Sequence, residues 1–188
     1  MQLILASASP RRRELLEKFR HDFIIDPAAG PEEPPAGANA AETVAALSAA
    51  KARETAARHP GDLVIGADTV VELDGAILGK PHNEDDAFRM LRALSGREHR
   101  VYTGVTLARD DTLLTETEMT RVYFRDMSDR EIRAYIASGE PMDKAGAYGY
   151  QGLAGVFVER IDGDYFNVVG LPLCRLGRML EKLGVTLL

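Results

Sequence analysis

The sequence has a single cysteine, no tryptophan and no long apolar run. Cys174 is the one cysteine among the 188 residues. This excludes an intramolecular disulfide framework and a thiolate-based zinc finger, and it suits the reducing cytosol. No stretch approaches the roughly 18 apolar residues of a membrane helix, and the N-terminal apolar run is too short for a signal peptide. We therefore expect a cytoplasmic protein that is not anchored in a membrane.

Acidic residues outnumber basic ones. The chain has 23 lysines and arginines against 29 aspartates and glutamates, which gives a formal net charge of −6 at pH 7. Non-specific binding to long nucleic acid usually depends on a basic surface, and stacking of single strands needs aromatic residues interleaved with basic ones. We expect no nucleic acid partner, although a local basic pocket is compatible with this balance.

The apolar periodicity predicts strands that alternate with helices. The predicted order is βα, βα, a β-hairpin, α, a β-pair, α, a second β-pair and a last α. A buried strand over residues 62–73 is expected to be interrupted at residues 66–68, and the second β-pair is expected within residues 145–169. Helices packed on a mixed sheet indicate the α/β class. We expect one domain over residues 1–188.

Capping residues mark three helix starts. A serine or asparagine side chain can accept a hydrogen bond from the first turn, and proline suits the first helical position. The marked starts are Ser9 with Pro10, Asn39 with Glu42, and Ser128 with Glu131. A strand is predicted from His21 to Pro27. Residues 27–38 follow with four prolines and two glycines, so we expect a loop, and such loops often carry function.

The segment S-A-S-P-R-R-R at residues 7–13 is a candidate anion site. It joins a predicted strand to the N-terminus of a predicted helix, where backbone N–H groups and the helix dipole attract anions. Arg11 and Arg12 could add bidentate contacts to phosphate oxygens. The alternative is a solvated basic first turn. Arginine is unfavourable at that end of the dipole, so three in succession favour a functional reason.

Asp68 lies in an apolar strand pattern where a carboxylate is costly unless it is paired with a cation or metal. The alternative is a structural aspartate that accepts from backbone donors at a bend. Lys80 follows the predicted hairpin at Asp74 and Gly75, which could return its ammonium group toward Asp68. Alternatively, Lys80 is an exposed loop residue, as lysines beside glycine and proline usually are.

Other candidates give weaker signals on their own. Glu32, Glu33 and Lys51 have the residue types of solvated loops and helices. In the glycine-rich segment 146–152, Gln151 could use its amide to contact a base edge, or the segment could be a glycine-bent strand. Cys174 lies in an apolar helical pattern, where we expect it to pack rather than act as a nucleophile. The sequence contains no Walker, dinucleotide-binding, zincin or nucleophile-elbow motif.

Taken together, several motifs resemble the Maf family of nucleoside triphosphate pyrophosphatases. They are L-A-S-A-S-P-R-R-R-E-L-L, A-D-T-V-V with G-K-P beyond it, L-S-G-R-E-H-R-V-Y-T-G-V, K-A-G-A-Y-G-Y-Q-G and N-V-V-G-L-P, in order between residues 3 and 180. The resemblance implies an elongated mixed sheet with flanking helices, similar to the inosine triphosphate pyrophosphatase fold. It also implies two lobes around a cleft, a divalent metal and a homodimer.

The resemblance also assigns roles to individual residues. It makes Asp68 the proton acceptor, with Lys51 and Lys80 as further catalytic residues. It implies phosphate contacts for Ser7, Arg11 and Arg12, and substrate discrimination for Arg12, Thr69 and Gln151. The metal ligands it implies are Asp68 and one residue of the acidic pair, with Glu33 the better match and Glu32 the alternative. These residue types are similar to those of the branch that acts on dTTP and UTP, rather than the branch that acts on 7-methyl-GTP.

The implied reaction is hydrolysis of dTTP or UTP to the monophosphate and pyrophosphate. Water would attack the α-phosphorus with help from Mg²⁺, Mn²⁺ or Co²⁺. Modified pyrimidine nucleoside triphosphates are further candidate substrates. Two alternatives come from other classes. One is a nucleotide-binding regulator of cell division or septum formation with weak catalysis. The other is a nucleic-acid-binding module that uses residues 11–13.

Overall fold

The computed structural model describes residues 1–19 and 22–187, and these residues form seven strands and six α-helices. The strands are β1 (Leu3–Leu5), β2 (Phe23–Ile25), β3 (Leu63–Leu73), β4 (Ala76–Leu78), β5 (Glu98–Arg109), β6 (Thr112–Phe124) and β7 (Val158–Asp162). The helices are α1 (Pro10–Glu17), α2 (Ala40–Ala56), α3 (Glu84–Leu94), α4 (Asp129–Ala137), α5 (Tyr165–Val169) and α6 (Leu173–Glu181). None of these helices is both long enough and apolar enough to cross a bilayer.

The strands form one mixed sheet in the order β2–β1–β3–β5–β6–β7, with β4 paired to β3. β1 runs parallel to both β2 and β3, whereas β3 with β4 and β6 with β7 are antiparallel. Parallel neighbours need crossover connections, and α1 and α2 supply them. The predicted α/β class with a mixed sheet is confirmed.

The chain divides into two compact units. The first comprises Met1–Asp68, Thr103–Glu118 and Gly170–Leu188, and the second comprises Thr69–Tyr102 and Met119–Val169. In the first unit, small and branched side chains of the sheet pack against Ala52 of α2. In the second unit, α3 and α4 cover an aromatic cluster in which Phe124 lies edge-on to Tyr148. The prediction of one domain over the whole chain stays a prediction.

Two of the three predicted caps form as complete capping boxes. The side chains of Asn39 and Ser128 accept from the third helical residue, and Glu42 and Glu131 accept in return. Arg125 and the Ser128 backbone and hydroxyl donate to Glu131, which lowers its pKa to about 2. Ser9 occupies the predicted N-cap position of α1, but its side chain makes no capping hydrogen bond.

Other predictions were wrong or fell outside the described residues. β3 runs without interruption through residues 66–68. Residues 145–169 contain the single strand β7 instead of a β-pair, because the glycine-rich part forms short 3-10 turns with positive φ at Gly146 and Ala147. Cys174 is exposed on α6 and does not pack. The predicted strand from His21 begins outside the described residues, since Arg20 and His21 are not among them.

Gly66 explains how β3 stays continuous. A Cβ at this position would meet the carbonyl oxygen of Ser48 and lie 2.8 Å from the Cβ of Ala52, both on α2. The glycine therefore permits close packing of α2 on the strand and does not mark a bend.

Gly66→Ala should push α2 away from β3 and lower the free energy of unfolding by about 1–3 kcal/mol, the usual cost of overpacking. Gly79→Ala is the matched control, because a Cβ there meets no atom within 4 Å. Chemical denaturation followed by circular dichroism measures both variants. Equal midpoints for Gly66→Ala and the wild type would contradict the close packing.

Candidate active site

In the first unit, two parallel strands bring Ser7 and Asp68 to the same edge of the sheet. Leu5 of β1 is in register with Ile65 of β3, and the N–H of Ala6 donates to the Ile65 carbonyl at 2.8 Å. Ser7 follows directly, and Asp68 lies within β3, three residues after Ile65 and beyond the part of the strand that pairs with β1. Ligands of parallel sheets commonly bind beyond the carboxyl ends of the strands, so this edge is a candidate ligand site.

Lys51 of α2 joins two carboxylates at this edge. Its Nζ lies 2.6 Å from Asp68 Oδ1 and 2.7 Å from Glu32 Oε1. The side chains of Lys51 and Asp68 are 15% and 9% exposed, whereas that of Glu32 is 61% exposed. A buried carboxylate needs a cation close by, and α2 supplies one. Of the two sequence interpretations of Asp68, the cation-paired one fits this geometry.

Arg12 is held in a fixed direction by two acceptors. Its Nε donates to the Gly170 carbonyl at 2.8 Å, and its Nη1 donates to Ser7 Oγ at 3.1 Å. Desolvation lowers the pKa of Arg12, the charge of Asp68 raises it, and Arg11 lowers it further. An arginine remains cationic at neutral pH under such shifts. The structure therefore brings Ser7, Arg11, Arg12, Lys51 and Asp68 together in one electrostatic cluster.

The loop that carries Glu32 is anchored on the same helix as Lys51. Glu54 accepts from the N–H groups of Ala29 and Gly30 at 2.7 and 3.0 Å, and these bonds lower its pKa. One turn further on, Arg58 donates to Asp26 and to the Pro27 carbonyl. Sequence reasoning missed these anchors, although Lys51 and Glu54 lie three residues apart on the alanine-rich α2, and Arg58 follows two residues after its end.

The structure brings Glu32, and not Glu33, onto Lys51. Glu33 is exposed beside it and forms no ion pair with another described residue. Among the described residues no group of three or more histidines, cysteines or carboxylates is arranged to hold a metal. The metal role assigned to Glu33 and Asp68 stays a prediction.

The other predicted site residues lie in the second unit. Thr69 is half-buried on β3, while Lys80 and Gln151 are exposed. Val71 is in register with Leu78 in the hairpin of β3 and β4, and Lys80 follows two residues after the end of β4. The N–H of Gly146 donates to the Gly79 carbonyl at 3.0 Å, so the glycine-rich segment is tied to the residue before Lys80. The predicted exposure of Lys80 is confirmed, and its role as a catalytic residue stays a prediction.

A family model described as "Maf-like protein" matches residues 2–183. The chain belongs to this family. The resemblance inferred from the sequence motifs is therefore confirmed, and Gly170, which anchors Arg12, lies in the Maf motif N-V-V-G-L-P.

Similar proteins cover nearly the whole chain. The dTTP/UTP pyrophosphatase of Koribacter versatilis is 54% identical over 185 residues, with 98% of this chain and 96% of that protein covered. The dTTP/UTP pyrophosphatase of Thermococcus gammatolerans is 52% identical, with 91% of each covered. The solved structure of the Staphylococcus aureus Ham1 protein has a TM-score of 0.54 at 15% identity, with 97% of this chain and 99% of that chain aligned. That likeness shows the fold alone.

Lys51→Met should remove the ion-pair partner of the buried Asp68 carboxylate and cost about 3 kcal/mol of unfolding free energy. Adding Asp68→Asn should recover much of that loss, because the uncompensated charge disappears. Lys182→Met removes a lysine from a pair with Glu116 in which the lysine side chain is 58% exposed, so it should cost less than about 1 kcal/mol. Denaturant unfolding measures all of them. Equal costs for the two lysine variants would contradict a buried pair.

Proposed function

We propose that this Maf-family chain hydrolyses dTTP and UTP, and modified pyrimidine nucleoside triphosphates of the same shape, to the monophosphate and pyrophosphate. The observation that carries the proposal is the buried Asp68 carboxylate beside the Lys51 ammonium, with Arg12 fixed close by. Relatives about 50% identical over nearly the whole chain are named dTTP/UTP pyrophosphatases. Both the chemistry of the site and the relatives' names support the same reaction.

The cations of the site suit a triphosphate. Phosphoryl transfer depends on positioning and on cations that meet the charge developing on phosphate oxygens. We assign this role to Arg11, Arg12, Lys51 and Lys80, together with the N-terminus of α1, whose first residue is Pro10. Ser7 orients Arg12 through its hydroxyl group.

Asp68 takes the proton of the attacking water. The water oxygen bonds to the α-phosphorus, the bond from that phosphorus to the β-phosphate oxygen breaks, and pyrophosphate leaves. A carboxylate can accept this proton and later release it to solvent. Lys51 holds the Asp68 carboxylate in place through its 2.6 Å contact.

A divalent cation fits the donor set of this site. Mg²⁺ and Mn²⁺ prefer oxygen ligands, and one or two carboxylates with substrate phosphates and waters suffice for Mg²⁺. Asp68 and Glu32 both lie within hydrogen-bond distance of the same ammonium nitrogen, so Asp68 with Glu32 or Glu33 would hold the metal. A bound divalent cation lowers the pKa of its water and neutralises phosphate charge.

The base-selecting roles of Thr69 and Gln151 remain proposals, as do the homodimer and the cytoplasmic location. A glutamine amide offers both a donor and an acceptor, which matches the N3–H and carbonyl groups of thymine and uracil. Thr69 lies directly after Asp68 in β3. The regulator of cell division or septum formation remains the alternative, and the next experiment separates it from the enzyme.

The wild-type protein should release pyrophosphate from dTTP and UTP with Mg²⁺, Mn²⁺ or Co²⁺, and EDTA should abolish the release. Asp68→Asn should keep the circular dichroism spectrum and lose at least about 100-fold in kcat, the usual range for general-base removal. A panel of canonical and modified triphosphates measures the specificity. Nucleotide binding without pyrophosphate release would overturn the proposed hydrolysis and favour the nucleotide-binding regulator of cell division or septum formation.

Glu32→Gln and Glu33→Gln distinguish the two acidic neighbours. If Glu32 is the metal ligand, its variant should need roughly tenfold more Mn²⁺ for half-maximal activity, and Glu33→Gln should behave like the wild type. The two changes remove the same charge from adjacent loop positions, so each serves as the control for the other. The reverse pattern would assign the metal to Glu33.

A further inference from the structure

The segment that carries Gln151 is braced from one side by a single glutamate. Glu140 lies in the 3-10 turn Glu140–Asp143, after α4. Its Oε2 accepts from the N–H of Leu153 at 2.9 Å, and its Oε1 accepts from the hydroxyl group of Tyr135 at 2.9 Å. One carboxylate therefore ties the chain just after Gln151 to helix α4.

Tyr135 extends the brace to the other side of Gln151. Its Oη accepts from the N–H of Gly149 at 3.2 Å while it donates to Glu140. Burial raises the pKa of Tyr135 far above its ordinary value, so the hydroxyl group remains a donor at neutral pH. The backbone is therefore fixed at residues 149 and 153, with Gln151 midway between them.

Two glycines make room for this brace. A Cβ on Gly152 would collide with both carboxylate oxygens of Glu140, and a Cβ on Gly149 would lie 2.6 Å from Cε of Lys144. Lys144 in turn donates to the Glu140 backbone carbonyl at 2.8 Å. The glycines that suggested a bent strand in the sequence instead admit Glu140 beneath the loop.

We infer that Glu140 is a positioning residue for base selection, acting through Gln151. The inference rests on the proposed function, because it assumes that Gln151 contacts the base. Cytosine presents an acceptor at N3 and an amino group at C4, where thymine and uracil present a donor and a carbonyl. The Gln151 amide can exploit that difference only when its orientation is fixed. Glu140 and Tyr135 contribute by fixing the backbone on either side of Gln151.

The inference predicts a selective defect. Glu140→Ala should lower the ratio of kcat/KM for dTTP to kcat/KM for dCTP by roughly tenfold or more, mainly through a higher KM for dTTP. The phosphate-binding groups stay in place, so kcat at saturating dTTP should change less. Glu140→Gln keeps one acceptor and should retain part of the selectivity. Tyr135→Phe should resemble Glu140→Gln, since it loses the hydrogen bond to Gly149 but keeps the one between Glu140 and Leu153.

The experiment is a double-mutant cycle with Gln151→Ala. If Glu140 acts through Gln151, Gln151→Ala with Glu140→Ala should be no less selective than Gln151→Ala alone. The matched control is Glu131→Ala. Glu131 is another half-buried glutamate of the second unit, and it braces the start of α4 through Ser128 and Arg125. Its loss should lower stability and leave the selectivity ratio unchanged.

A second measurement does not depend on catalysis. Binding of dTTP and dCTP by calorimetry, with Asp68→Asn as the background to prevent turnover, should show the same loss of preference in Glu140→Ala. Faster amide hydrogen exchange at Gly149 and Leu153 should accompany it. If Glu140→Ala fails to fold, Glu140→Gln and Tyr135→Phe take its place in the cycle.

The outcomes separate the inference from the proposed function. A wild type with no preference for dTTP over dCTP in either assay overturns both. A selective wild type whose Glu140 and Tyr135 variants keep that selectivity overturns the inference alone. The inference alone is also overturned if the selectivity losses of Glu140→Ala and Gln151→Ala are additive. It is likewise overturned if Glu131→Ala loses as much selectivity as Glu140→Ala. Loss of selectivity in Glu140→Ala with no further loss in the double variant supports it.

Discussion

The pairing of Asp68 with Lys51 is the interaction on which the first unit depends. A carboxylate buried in a strand costs several kcal/mol unless a cation lies against it. Lys51 reaches it because α2 packs closely on β3, and that packing requires Gly66 opposite Ser48 and Ala52. A single missing side chain in the strand thus determines where the ammonium group lies. Burial of Asp68 is therefore tolerated only because α2 packs closely enough on β3 for Lys51 to reach it.

The two units carry different kinds of chemistry. The described site residues of the first unit are charged groups and their acceptors, suited to a polyanion and to proton transfer. The second unit offers Thr69 and Gln151, whose neutral groups suit recognition of a base, and a brace that fixes the backbone around Gln151. Charge supplies attraction with little discrimination among nucleotides, whereas oriented amides discriminate without adding much attraction. Both properties are required of an enzyme that selects one nucleoside triphosphate.

Local signals in the sequence predicted much of the fold. The capping boxes at Asn39 and Ser128 depend on residues three apart, and the hairpins depend on turn residues beside apolar alternation. Features that depend on tertiary contacts could not be predicted in this way. Gly66 was interpreted as an interruption because the sequence does not show that α2 lies against it. Glu140 resembles an ordinary loop glutamate until Tyr135 and Leu153 are seen to converge on it.

Arginine is a poor choice for the first turn of a helix, since its charge opposes the dipole. In α1 the partners of Arg12 and Arg13 offset part of this unfavourable interaction with the dipole. Arg13 pairs with Glu17 at 2.7 Å on the exposed side, and Arg12 has the Gly170 carbonyl, the Ser7 hydroxyl group and the charge of Asp68. These contacts fix the direction of Arg12 but still leave it desolvated, beside Arg11 and at the positive end of the helix. Such an arrangement does not favour the folded state by itself. The arrangement becomes favourable when an anion binds at the sheet edge beside Ser7 and Asp68. The arginines of α1 therefore indicate an anion site independently of any relative.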